Sequence, residues 1–254
     1  MRILLTNDDG IDASGIRALW QELSPWADVI VAAPDRERSA TSQAITVTHP
    51  IRVDRHVVKE DGIKAWRIGG TPTDCVKIAL EALLSETPDL VISGINHGPN
   101  LGTDVLYSGT VSAAMEGALH GIPSLAVSLN SWNHGDFKSA AKITRRILET
   151  MILPHQLQPG MLLNLNIPAL SETEIKGVAV TKLGVRQYTN TFERRLDPRG
   201  RIYYWMGGEV LNVSNDEDSD IAAVSKGCVS ITPICLDMTD HSLLPLVQSW
   251  VKEE

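Results

Sequence analysis

The chain has 254 residues, 43% of them hydrophobic, with 23 Lys and Arg against 31 Asp and Glu and a formal charge of −8. That length allows one large domain or two small ones around a sizeable core. The acidic balance excludes a protein built to grip a nucleic-acid polymer or an anionic membrane surface, both of which need a basic face.

Cys75, Cys228 and Cys235 form no CxxC pair, and three cysteines make no disulfide framework. The first apolar run is only "ILL", and no stretch approaches the roughly 18 apolar residues of a membrane span. The expectation is a soluble, cytoplasmic protein with no membrane partner.

In chain order, "RILLT" reads as a buried strand, Ile16, Leu19, Trp20 and Leu23 recur at helical spacing, and "DVIVAAP" is a second strand stopped by proline, giving a β-α-β unit. "AITVTHPIRVDRHV" alternates as an extended segment over 44–57. Thr73 or Asp74 can cap a helix with Val76, Ala79, Leu80 and Leu83 on one face. "PDLVISG" is a strand; Thr110 can cap "VSAAMEGALHG", which Gly121 and Pro123 end; "PSLAVSL" follows as a strand. "FKSAAKITRRILETMIL" is a long helical pattern closed by Pro154, and "GMLLNLNIP" returns to a strand. Helices between buried strands imply an α/β fold with a mostly parallel sheet covered on both faces.

After about Lys176 the character changes. "GVAVTKLGV" and "RIYYWM" read as strands, and "DPRG" between them carries turn chemistry, which predicts a hairpin. The tail "LPLVQSWVKEE" places Leu246, Val247, Trp250 and Val251 on one face of a short helix. Subunit contact and packing onto the chain's own domain are both open for these two devices.

Ligands of open α/β sheets bind beyond the carboxyl ends of the strands, which singles out "TNDDG", "PDRERSATS", "GINHGPNLGTD" and "YSGTVS". Adjacent Asp8 and Asp9 each raise the cost of ionising the other unless positive charge lies between them. A strand-end carboxylate pair with no His or Cys cluster suits a hard divalent cation, Mg²⁺ or Mn²⁺, to which Ser39 and Asn96 can add a hydroxyl and an amide oxygen. A plain surface turn is the other reading of "NDDG". Ser108, Gly109 and Thr110 sit where a helix begins and can hold a phosphate, or Thr110 can simply cap. Arg36 and Arg38 can clamp a phosphate or belong to a solvated loop, His97 can act as an acid or base, and "NLNIP" at 164–168 can back the site's ligands from a strand end or be purely structural.

The chain lacks a GxGxxG after its first strand, a GxxxxGK[ST] loop, a GxSxG elbow and the acidic spacing of an EF-hand. An aspartate nucleophile at Asp8 or Asp9 stays open as a second enzyme reading, although dehalogenase-type phosphatases use DxD where this chain has DD. Trapping a phospho-aspartate would favour it. A cleft that binds nucleotides without turnover, within a scaffold built by hairpin and tail, is the non-enzyme alternative.

"RILLTNDDG", "VAAPDRERSATSQAIT", "GGTPTDCV", "PDLVISGINHGPNLGTDVLYSGTVSAAMEG", "LNLNIP" and "VSITPICLDMT" resemble, in order and nearly end to end, the SurE (survival protein E) nucleotidases. The resemblance implies one divalent cation per subunit, bound by Asp8, Asp9, Ser39 and Asn96. It also implies a Rossmann-like three-layer core, about 1–175, and a β-hairpin and helix extension, about 176–254, that exchanges elements within homodimers or homotetramers. The implied substrates are nucleoside 5'- and 3'-monophosphates, with short polyphosphate trimmed by some members.

On that basis the cation binds a phosphate oxygen and a water whose pKa it lowers. The water attacks in line, Asp8 or Asp9 accepts its proton, and Asn96, Ser108, Gly109 and Thr110 contact the phosphoryl oxygens. Departures are few: Ala40 follows Ser39 where many members have glycine, and Cys228 precedes "VSITP" where many have an aromatic.

Overall fold

A computed structural model describes residues 1–56, 63–132, 135–155, 157–189, 191–211 and 213–251. Val57 of the expected extended run and Lys252, Glu253 and Glu254 of the tail lie outside the described residues. The elements follow the alternation in the sequence: β1 (Arg2–Thr6), α1 (Ser14–Leu23), β2 (Asp28–Pro34), β3 (Val53–His56), β4 (Lys64–Ile68), α2 (Pro72–Ile78), β5 (Leu90–His97), α3 (Gly109–Leu119), β6 (Ser124–Asn130), α4 (Phe137–Ile147) and β7 (Leu162–Pro168). Then come the short strands β8 (Val178–Val180), β9 (Gln187–Thr189), β10 (Phe192–Leu196), β11 (Ile202–Met206) and β12 (Glu209–Leu211), and finally α5 (Asp220–Ser225), β13 (Val229–Pro233) and α6 (Leu244–Val251).

Nine strands form one sheet in the order β3-β4-β2-β1-β5-β6-β7-β13-β8. Six run parallel, and the direction reverses only where β3 meets β4 and β13 meets β7. Successive side chains of a strand point to opposite faces, and β1 shows the consequence. Ile3 and Leu5 join α1 and α4 through Ile16, Leu19, Ile143 and Ile147, while Leu4 joins α2 and α3 through Cys75, Val76 and Ala113. Apolar runs buried on both sides therefore fix a three-layer α/β sandwich, as expected.

Strand order turns back between β1 and β5: from β1 the chain builds outward through β2 and β4, then returns to the other side of β1. A crevice opens at such a switch point. No helix among the described residues is long and apolar enough to cross a membrane.

Four local expectations are corrected. The cap of α2 is Thr71, not Thr73 or Asp74: its hydroxyl accepts from the Asp74 N–H at 3.0 Å, and Asp74 accepts from the Thr71 N–H at 2.8 Å. Pro72, with no N–H to satisfy, is suited to the first helical position and moves the start upstream. Likewise Ser108, not Thr110, caps α3 by accepting from the Val111 N–H at 3.0 Å.

Only Val53–His56 of the segment over 44–57 forms a strand. Further upstream, the Thr46 N–H is held by Asp74 and the Ala44 carbonyl by Thr71, so these backbone groups are satisfied at the start of α2 rather than in a ladder. The hairpin at "DPRG" joins β10 to β11, whereas "GVAV" supplies β8, which pairs with β13 in the main sheet. A short turn pairs the strands that flank it directly.

Segments beyond 176 thus divide: β8, α5 and β13 complete the core sheet and its cover, while β9 to β12 and α6 are mostly exposed. The loop anchorages of this region are tight. Asp220, 0% exposed, accepts from the N–H groups of Gly102, Gly184 and Ile221 at 2.7, 2.8 and 2.8 Å.

Helix α1 lies so close to β5 that a Cβ on Gly15 would overlap the Ile95 carbonyl. Gly to Ala inside a helix ordinarily stabilises by up to about 1 kcal/mol. Here the expected sign is opposite: Gly15→Ala should lower the unfolding free energy by about 1–3 kcal/mol, as overpacking does. Denaturant titration checks it, and a stabilised variant would contradict the packing described.

Candidate active site

The turn after β1 carries Asn7, Asp8, Asp9 and Gly10, and three other elements close on it. From the β2 loop, the Arg38 N–H donates to the Asp8 carbonyl at 2.7 Å, while the Ile11 N–H returns to the Pro34 carbonyl at 2.9 Å. From the end of β5, the His97 N–H donates to Asp9 Oδ2 at 3.1 Å. From α3, the Thr110 hydroxyl donates to Asp8 Oδ1 at 2.5 Å. A Cβ on Gly109 would stand 2.9 Å from Asp8 Cβ and Oδ2, so only glycine lets the helix start this near the carboxylate.

Asp8 is 5% exposed and Asp9 half-buried. Burial is the main cause that pushes Asp8 up to about 7; the Thr110 hydroxyl opposes it, and the charge of Asp9 adds to it. Burial also raises Asp9, with Glu37 adding and the His97 N–H opposing. Among the described residues neither carboxylate has a Lys, Arg or His salt-bridge partner. The N-terminus of α3 is the positive end that faces Asp8.

Ser39 lies on the exposed β2 loop and donates to Glu37 at 2.6 Å. That loop passes through Ala40 and Ser42, at φ +55° and +48°, and is held where the Ser42 hydroxyl donates to the Leu106 carbonyl at 2.8 Å. Asn96 follows a shift of register between β5 and β6, which re-aims a side chain at a strand end. Its Nδ2 donates to the Gly98 carbonyl at 2.8 Å, leaving Oδ1 as the atom to offer a cation.

The oxygen set suits a hard cation: two carboxylates lacking a basic partner, a hydroxyl and an amide oxygen. Among the described residues no three His, Cys, Asp or Glu side chains gather around one point. The donors on offer are therefore these mixed oxygens rather than a nitrogen and sulfur cage.

Other residues singled out in the sequence have structural places. Arg38 pairs with Asp35 on its own loop at 3.1 Å. Asn164 and Asn166 hold Asn100: both donate to its carbonyl, at 2.9 and 3.0 Å, and Asn166 accepts from its N–H at 2.8 Å. Sequence reasoning missed Thr110 as the partner of Asp8. It also missed Asp104, which accepts from Arg186 at 2.7 Å and Tyr188 at 2.6 Å and so ties the extension to the turn before α3. A lone Asp in "GTDV" carries no local sign of partners more than 80 residues away.

The model of the family described as Survival protein SurE matches residues 3–190. The chain belongs to the SurE family. It is 54% identical over 251 residues to the 5'-nucleotidase SurE of Heliobacterium modesticaldum, covering 99% of this chain and 92% of that protein. Identity to the 5'-nucleotidase SurE of Syntrophomonas wolfei is 57% over 246 residues, covering 96% and 92%. The SurE crystal structure from Aquifex aeolicus superposes with a TM-score of 0.85 at 38% identity, covering 99% of this chain and 100% of that one.

Without a cation, folded Asp8 holds its proton up to about 7, whereas the unfolded group releases it near ~4. Stability contributed by that proton is present below the unfolded value and is lost as pH rises through about 7. Asp8→Asn should therefore melt higher than the unaltered SurE chain in EDTA at alkaline pH. Mg²⁺ or Mn²⁺ should raise the melting temperature of the unaltered chain and not of the variant. Equal cation responses in thermal melts would contradict the assignment.

Proposed function

We propose that this SurE-family chain is a cation-dependent nucleotidase that hydrolyses nucleoside 5'- and 3'-monophosphates to nucleoside and phosphate. The observation that carries the reading is the pair of buried Asp8 and half-buried Asp9, with no salt-bridge partner among the described residues, at the sheet's switch point and against the N-terminus of α3. The relatives named 5'-nucleotidase SurE, which match almost the whole chain, support the substrate class.

Asp8, Asp9, Ser39 and Asn96 hold one Mg²⁺ or Mn²⁺. When bound, the cation supplies a Lewis acid that offsets phosphoryl charge and acidifies a water molecule. Asp8, fixed by Thr110, anchors the site from its buried side. Asp9, the more exposed carboxylate, takes the proton of the attacking water. Ser108 and the free N–H of Gly109 donate to phosphoryl oxygens at the helix N-terminus, with Asn96 at the opposite edge. Thr110 contributes through its hold on Asp8. Short polyphosphate presents the same terminal phosphoryl group and belongs within the proposed range.

The assembly proposed is a homodimer or homotetramer. Phe192, Ile202, Tyr204, Trp205 and Met206 of β10–β11 and Leu246, Trp250 and Val251 of α6 expose more apolar surface than single scattered side chains do. A cytoplasmic setting fits the three free thiols, of which Cys75 is buried in the core.

Phosphate release from nucleoside monophosphates should disappear with EDTA and return with Mg²⁺ or Mn²⁺. Asp9→Asn should lower turnover or cation affinity at least about tenfold, the scale of perturbed metal sites. Cation-independent release, or near-normal turnover in the variant, would contradict the proposal.

A further inference from the structure

We propose that the cavity between α1 and the start of α4 receives the nucleobase of the substrate. The inference rests on the nucleotidase reading and adds where the leaving nucleoside is held. The cavity measures about 590 Å³ and is lined from α1 by Arg17 and Gln21, from the end of β5 by His97, and from α4 by Phe137 and Lys138. That volume lies within the roughly 300–1,000 Å³ of pockets that hold small ligands.

The cavity adjoins the carboxylate pair. The backbone N–H of His97 holds the Asp9 carboxylate, and His97 also lines the cavity, so one residue joins the reacting end to the cavity. Two other cavities share no residue with the site: one lies against α2 around Thr46 and Lys77, the other around Arg2 and Trp66. The α1 wall is also fixed in register with the site, because Gly15 packs directly on the Ile95 carbonyl, one residue before Asn96.

The lining is also chemically suited to a base. His97 and Phe137 form an aromatic corner, with ring centroids 5.8 Å apart at 75°, and aromatic walls stack nucleobases regardless of sequence. The rim is rich in donors. Arg17 and Lys138 have no salt-bridge partner among the described residues. Asp136, the acid at the same rim, is committed to capping α4 through the N–H groups of Lys138 and Ser139 at 3.1 and 3.0 Å. Base edges present ring nitrogens and carbonyl oxygens as acceptors, and guanidinium and amide donors complement them. An aromatic corner flanked by uncommitted donors is thus suited to a base.

The test compares kcat/KM for nucleoside monophosphates with that for glycerol phosphate, an ester without a base, in the full chain with Mn²⁺. Phe137→Ala should reduce the preference for nucleotide at least about tenfold, chiefly through KM, the scale of one lost base stack. Phe137→Leu keeps apolar volume in this half-buried wall but lacks a flat face, and should reduce it similarly. Arg17→Ala, at an exposed position, should reduce it by about fivefold or more. An unchanged preference in these variants, or its full rescue by Leu, would overturn the inference. Failure of the nucleotidase reading would look different, since the unaltered chain would then release no phosphate from any nucleotide.

Discussion

The contact on which the site depends is the hydrogen bond from Thr110 to Asp8. It joins the end of the first strand to the first turn of α3 across 102 residues of sequence, inside a region from which water is nearly excluded. A carboxylate placed there without compensation is costly, and the surrounding structure compensates it only in part, from the α3 side. The hydroxyl and the helix N-terminus cover the buried oxygen, and Gly109 permits that approach. Asp9 is steadied by β5 through the His97 N–H. What the fold leaves without a basic partner among the described residues is the carboxylate pair facing the crevice, and the proposed function places a dication there.

The same geometry binds the C-terminal extension to the chemistry. Asp220 fixes Gly102, and Asp104 fixes Arg186 and Tyr188, so both contacts reach the turn that delivers Ser108 to the start of α3. That turn in turn holds the Ser39 loop through Leu106. The extension therefore supports the start of α3 and the Ser39 loop through one short segment, and it leaves the apolar faces of the hairpin and α6 outward.

Much of this was legible in the sequence because burial on two faces leaves a strong mark. "RILLT", "DVIVAAP", "PDLVISG", "PSLAVSL" and "LLNLNIP" are short segments dominated by apolar residues, and all five supply strands of the sheet's parallel part. The strand-end rule pointed to the turn after β1 and the end of β5, which the hydrogen bond from the His97 N–H to Asp9 joins. Less legible were the choices among neighbouring polar residues. Ser108 and Thr110, or Thr71 and Thr73, are equally good caps by composition, and what decided between them was Pro72 in one helix and a distant carboxylate in the other. The hairpin failed in detail because "GVAV" carries the same alternation as a hairpin strand but is drawn into the main sheet by β13. Asp220 and Asp104 were silent because their partners are remote in sequence.

The central claim, that Asp8 and Asp9 share one hard cation with Ser39 and Asn96, is tested most directly by soaking crystals of the full chain in Mn²⁺ and collecting anomalous data at the manganese edge. The account predicts one peak per chain in the crevice between β1 and β5, within bonding distance of oxygens from both aspartates, the Ser39 hydroxyl and the Asn96 amide. A peak bound elsewhere, or a crevice that stays empty while Mn²⁺ restores phosphate release, would contradict it.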